Sequence, residues 1–199
     1  MTTESSSHAT RSSLLLRAAQ RDAQAWRELV DLYGPLVTHW CRRSQVDTHA
    51  AADCVQEVFA SVAVAIETFQ PQRTAGSFRA WLWTITRNKL RDHFRRNART
   101  PAAAGGSTAF GLMQQVMDPM GIPDDEPTGE FELQQLTSRA MTQVQSEFEP
   151  RTWQAFWRSV VDGIATDEVA RELQLSAAAV RQSRSRILRR LRQQLGDLV

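Results

Sequence analysis

Residues 98–129 read ARTPAAAGGSTAFGLMQQVMDPMGIPDDEPTG, and no other stretch limits the fold as much. The segment is rich in Pro, Gly and Ala and carries no sustained apolar period. Its FGLMQQVM run has the length of a short helical turn and no more. Such a stretch predicts a linker, long enough to hold two units tens of ångströms apart. What folds must fold on either side of it, as two small domains with separate cores.

Both sides read as helical, and neither shows strand-like alternation of any length. Residues 1–12 are polar and predict a disordered tail. A helix follows over about 13–20. In the next, Trp26, Leu29, Val30, Tyr33, Leu36, Val37 and Trp40 recur at i, i+3, i+4, i+7 spacing. Ala51, Cys54, Val55, Val58, Val62 and Ile66 form the same stripe in a helix over about 49–68. QPQRTAG (70–76) is a loop by its Pro and Gly, and a helix over about 77–96 comes after it. Beyond the linker, helices are predicted over about 130–147 and 150–162. Pro150 suits a first helical turn there, and Gly163 suits the position that ends a helix. The fold class is therefore all-α, with domains at 13–97 and 130–199 joined by a flexible linker, 98–129.

A formal net charge of +2 conceals strong segregation. Arg87, Lys89, Arg91, Arg95, Arg96 and Arg99 share one short stretch with a single acid, Asp92. Residues 181–192 carry arginines and no acid, whereas Asp118, Asp124, Asp125, Glu126, Glu130 and Glu132 lie between the two basic stretches. Two basic patches predict two contacts with a polyanion. No apolar run approaches the roughly 20 residues that span a bilayer, and MTTESSSHATR lacks the apolar core of a secretory signal. A cytoplasmic protein without membrane insertion is the expectation. Cys41 and Cys54 with His39 and His49 give H-x-C-x7-H-x4-C, which matches no compact zinc motif, so two buried thiols are expected and no metal or cofactor.

IATDEVARELQLSAAAVRQSRSRILRRLRQQL (164–195) reads as helix, tight turn, helix. Thr166 is placed to cap the first helix, with Asp167 and Glu168 in its first turn. Val169, Ala170 and Leu173 form its inner face, Leu175 plugs the turn and Ser176 caps the second helix. Val180, Ile187, Leu188 and Leu191 line that helix. On this count Arg184 falls inside the apolar stripe, so it needs a route outward or an acid such as Glu168 or Glu172. A plain helical hairpin shares the spacing. The arginines on the second helix favour a DNA-binding helix-turn-helix.

On the helix after the loop, Phe78, Trp81, Leu82 and Ile85 wind to one side, and Trp83, Leu90 and Phe94 fall about 140° away, beside Arg87 and Arg91. Rings and cations on one stripe suit unstacked bases against a phosphate backbone; burial of Trp83 and Phe94 against another helix is the alternative. No paired carboxylates in a metal-ligand setting and no nucleophile beside a base appear, so no catalytic residue is expected.

DCVQEVF (53–59), SFRAWLWTITRNKLRDHFRR (77–96), the linker and the terminal helix-turn-helix together resemble the extracytoplasmic-function (ECF) group of bacterial RNA polymerase sigma factors. The resemblance implies a sigma-2-like bundle and a sigma-4-like helix-turn-helix, and a transcription initiation factor without catalysis of its own. It implies partners too: core RNA polymerase through its β′ clamp helices and β flap, promoter DNA and an anti-sigma factor. Asp53, Gln56, Glu57 and Phe59 would face polymerase. Phe69, Ser77, Trp83, Arg87, Asn88, Lys89, Arg91, Arg95 and Arg96 would serve the −10 element. Ser176, Ala177, Ala178, Arg181, Gln182, Arg184, Ser185, Arg186 and Arg189 would serve the −35 element. Two departures stand out: Gln174 where such turns often have Gly, and VRQSR (180–184) where V-K-S-R-L is common. A free-standing helix-turn-helix regulator is the alternative function, although it has no need of the DCVQEVF or aromatic-basic helices.

Overall fold

The computed structural model describes residues 13–69, 78–99 and 122–195. Its elements are α1 (Ser13–Ala19), α2 (Ala23–Arg43), α3 (Thr48–Ala65) with a 3-10 turn over Ile66–Thr68, α4 (Phe78–Arg99), α5 (Glu130–Gln145), α6 (Pro150–Val160), α7 (Thr166–Glu172) and α8 (Ala177–Leu195). Among the described residues there is no strand, as the periodicity predicts. The tail 1–12, the loop with Ser77 and FGLMQQVM lie outside the described residues.

Helix starts follow from short acceptors at the right places. The Asp22 carboxylate accepts the Ala25 N–H at 2.6 Å, and that of Asp47 accepts the His49 and Ala50 N–H groups, each at 3.0 Å. Each satisfies backbone donors that the first turn of a helix leaves open. Glu132 reaches back to the Gly129 N–H at 3.1 Å at the start of α5. Thr166 is not a cap: Ala165 holds that position without a side-chain bond, and Thr166 is the first helical residue. Ser176 does cap α8, accepting the Ala179 N–H at 3.0 Å.

α1 to α4 pack around Leu29, Leu32, Val37, Trp40, Val58, Val62, Leu82 and Leu90. On α4 the buried line runs through Phe78, Leu82, Trp83, Thr86 and Leu90, while Trp81, Ile85 and Phe94 are half-buried. The two stripes expected of this helix are thus one broad face. Trp83 joins it because Trp40 of α2 meets its ring edge-on, with centroids 5.3 Å apart. Thr86 is tolerated in the core because its hydroxyl donates to the Leu82 carbonyl at 2.8 Å.

The second half does not stand apart. Leu136 and Ala140 of α5, Leu195 of α8 and Ile122 all join the first core. A polar relay runs across the same seam. Gln143 donates to the Glu28 carbonyl at 3.1 Å, buried Gln194 donates to Gln143 at 2.7 Å, and Arg190 donates to Gln194 at 2.7 Å. Val144, Trp153, Phe156, Ile187 and Leu191 then form a second cluster, and Ala155, Val169, Ala170 and Val180 a third beneath the turn between α7 and α8.

Candidate polymerase-docking face and nucleic-acid interfaces

Winding α3 from its Asp47 cap turns Ala51, Cys54, Val58 and Val62 inward and leaves Asp53 and Gln56 exposed. Glu57 is half-buried beside them and accepts from Arg96 of α4 at 3.1 Å. Phe59, expected to face polymerase with them, is 8% exposed and packs in the core. A cavity of about 220 Å³ opens between α3 and α4, walled by Asp53, Cys54, Glu57, Lys89, His93 and Arg96. Cys41 and Cys54 are both free and buried, as expected. The hydrogen bond between their thiols, with burial second, pushes the Cys41 thiol well above its ordinary value. Among the described residues no group of three His, Cys, Asp or Glu side chains is placed to hold a metal ion.

α4 divides its cations: Lys89 and Arg96 lie toward α3, whereas Arg87 and Arg91 lie by Asp124. Arg87 and Arg91 are half-buried there, Lys89 is half-buried, and Asn88, Arg95 and Arg96 are exposed. The acidic end of the linker lies across this helix. Asp124 accepts from Arg87 at 2.5 Å and stands 3.7 Å from Arg91. Its backbone carbonyl accepts the Trp83 indole N–H at 3.3 Å and Arg87 at 3.1 Å. Glu126 pairs with Arg79 and accepts the Thr128 hydroxyl, which in turn accepts the Trp40 indole N–H at 3.2 Å. Two residues offered for base contact are covered here. Trp83 is 2% exposed, and Phe69 lies in the core against Phe78 and Trp81. Ring contacts account for both: Trp40 of α2 meets Trp83, and Phe78 and Trp81 of α4 meet Phe69.

The turn between α7 and α8 is built around a left-handed residue. Gln174 has φ +52°, a conformation costly for a side chain bearing a Cβ. Arg151 of α6 offsets that cost by donating to the Leu173 carbonyl at 2.9 Å and to that of Gln174 at 3.4 Å. Arg158 to Glu172 at 3.0 Å ties α6 to α7 a second time. On α8 the inner line is Val180, Ser183, Ile187, Leu191 and Gln194, so Ser183 sits where Arg184 was expected. Its hydroxyl is satisfied by the Ala179 carbonyl at 2.9 Å. Arg184 is exposed, together with Ser176, Ala178, Arg181, Gln182, Ser185, Arg186 and Arg189; Ala177 is half-buried. Arg186 stands 5.9 Å over the Phe148 ring. Arg190 belongs to the fold instead, holding Glu147 at 2.6 and 2.7 Å.

Residues 29–100, most of α2 with α3 and α4, match the family model described as sigma-70 region 2. Relatives extend the likeness across both halves. The chain is 29% identical over 187 residues to the ECF RNA polymerase sigma factor ShbA of Streptomyces griseus, covering 90% of this chain and 92% of that one. It is 24% identical to the ECF RNA polymerase sigma factor SigW of Bacillus subtilis (89% and 92% covered), and 27% identical to SigL of Mycobacterium tuberculosis (91% and 94%). Over most of its length the chain is similar to ECF sigma factors.

The fold brings Asp53, Gln56 and Glu57 onto one face, with Lys89 and Arg96 of α4 beside it. It sets the α8 residues on another surface. Sequence reasoning missed the seat of Asp124 and Glu126 on α4. The signal was present, since an acidic run of one sign and a basic helix of the other occur in the same chain.

Proposed function

We infer that this chain is a sigma factor that binds core RNA polymerase and directs it to promoters, supplying recognition while the polymerase supplies the chemistry. The observation that carries the reading is the outer face of α8, where Arg181, Gln182, Arg184, Ser185, Arg186 and Arg189 are all exposed behind a Ser176 cap and a clamped turn. A helix presented this way enters a major groove with its N-terminal residues at base edges and its arginines on phosphates. That is the −35 contact. Residues 13–97 form the unit that serves the −10 element, through Arg87, Asn88, Lys89, Arg91, Arg95 and Arg96. Buried Trp83 and Phe69 support that surface from beneath. Asp53 and Gln56, with Glu57, meet the β′ clamp helices, and the 130–199 unit meets the β flap. An anti-sigma factor is a further partner of the same surfaces, and the cytoplasm is where all of them meet.

The test is gel filtration of the chain with bacterial core RNA polymerase. A stable complex is expected for the wild type, and Asp53→Ala/Gln56→Ala weakens it about tenfold, since exposed polar groups at an interface centre act on affinity without disturbing the fold. Failure to form a complex, with salt-sensitive duplex binding by the chain alone, would replace the reading with a free-standing regulator.

A further inference from the structure

The acidic segment sits on two of the cations that a promoter strand would need, Arg87 and Arg91. We propose that residues 122–132 are an autoinhibitory strap, which holds the DNA face of α4 closed until nucleic acid or polymerase displaces it. The proposal rests on the reading of α4 as a DNA-binding face. Its occupant is this chain's own acidic stretch, and two carboxylates meet three guanidinium groups: Asp124 on Arg87 and Arg91, Glu126 on Arg79. A carboxylate on an arginine fork uses the same donors that a phosphate uses, so the two exclude each other.

The strap is firmly held at both ends and lightly in the middle. Ile122 is buried in the core at one end. At the other, Thr128 accepts from Trp40, and Glu132 caps Gly129 and stands 3.4 Å from His39. Between them the Asp124 side chain is 84% exposed, even while it touches Arg87. Ion pairs so open to water contribute little each. A polyanion that engages several cations together therefore competes well against Asp124, whereas the Arg79–Glu126 pair, at 20% and 12% exposure, returns the strap when the competitor leaves. Masking of this kind keeps the free factor from occupying DNA at random, and leaves the α8 face untouched.

The experiment is fluorescence anisotropy of the full chain with a short, labelled, A/T-rich single strand. Asp124→Asn/Glu126→Gln is expected to bind about tenfold tighter than wild type, from two to three cations released. Asp125→Asn/Glu130→Gln removes the same charge from exposed neighbouring positions and is expected to stay within about twofold. Equal tightening by both pairs would mean long-range charge alone and would overturn the strap. Lys89→Ala/Arg95→Ala separates the two readings. If it weakens binding while Asp124→Asn/Glu126→Gln brings no gain, α4 binds DNA and the strap is wrong. If it changes nothing, the DNA face falls and the strap with it. Hydrogen exchange on the wild type needs no variant: amides of 123–129 should exchange faster when the strand is added, and unchanged rates at saturation would also overturn the proposal.

Discussion

Two residues show how local backbone chemistry sets the behaviour of the whole chain. Hydrogen bonds from the Ala50 and His49 N–H groups hold the Asp47 carboxyl below its ordinary value of 3.8. A group lowered in the folded state contributes stability that is complete above its unfolded value and is lost as pH falls through the folded one. Asp47→Asn keeps an acceptor at the cap and removes the titration. In acid unfolding between about pH 5 and pH 2, the variant should therefore lose less stability than the wild type. Gln174 is the second case. Gly at φ +52° removes the Cβ conflict, so Gln174→Gly should raise stability by about 0.5–1 kcal/mol in denaturant melts, with the α8 face unchanged. The odd turn residue was legible in the sequence, because a turn of that length needs a left-handed position. Trp83 was not legible: nothing in its own helix says that Trp40 lies across the gap. Only the pairing of α2 with α4 decides that its ring is covered.

At the scale of the element, α8 divides its arginines between two tasks. Arg190 makes a two-pronged contact with Glu147 and is 15% exposed, whereas Arg189 is exposed one residue away. Arg190→Ala should cost about 1 kcal/mol of stability in thermal melts and leave the salt slope of duplex binding alone. Arg189→Ala should do the reverse, leaving the melt unchanged and reducing the salt slope by about one. Neighbouring cations with opposite phenotypes are what a helix packed on one side requires. Helix existence and the turn were readable from periodicity, and so was the cap at Ser176. The phase of α8 was off by one residue, so Arg184 took the place of Ser183. A serine reads as a surface residue until its hydroxyl is seen returning to the Ala179 carbonyl.

For the molecule as a whole, the small net charge is the sum of large opposing patches, and part of that opposition is satisfied inside the chain. The sequence separated two basic helices by an acidic run and so suggested a spacer. It did not disclose that Leu136, Ala140 and Leu195 would close onto the first core, because their apolar faces are equally suited to a core of their own. Closure also has a thermodynamic consequence. If polymerase lifts the strap, polymerase and DNA each raise the other's affinity by the same factor. The indoles beneath the strap add one more. Trp40 and Trp83 donate their N–H groups to Thr128 and Asp124, so the polar edge of each indole is partnered by that segment. Opening would wet them, and the intrinsic emission of the protein should move to the red when DNA or polymerase binds. Trp83→Phe should remove most of that movement. The factor thus carries a built-in optical gauge of whether it is closed.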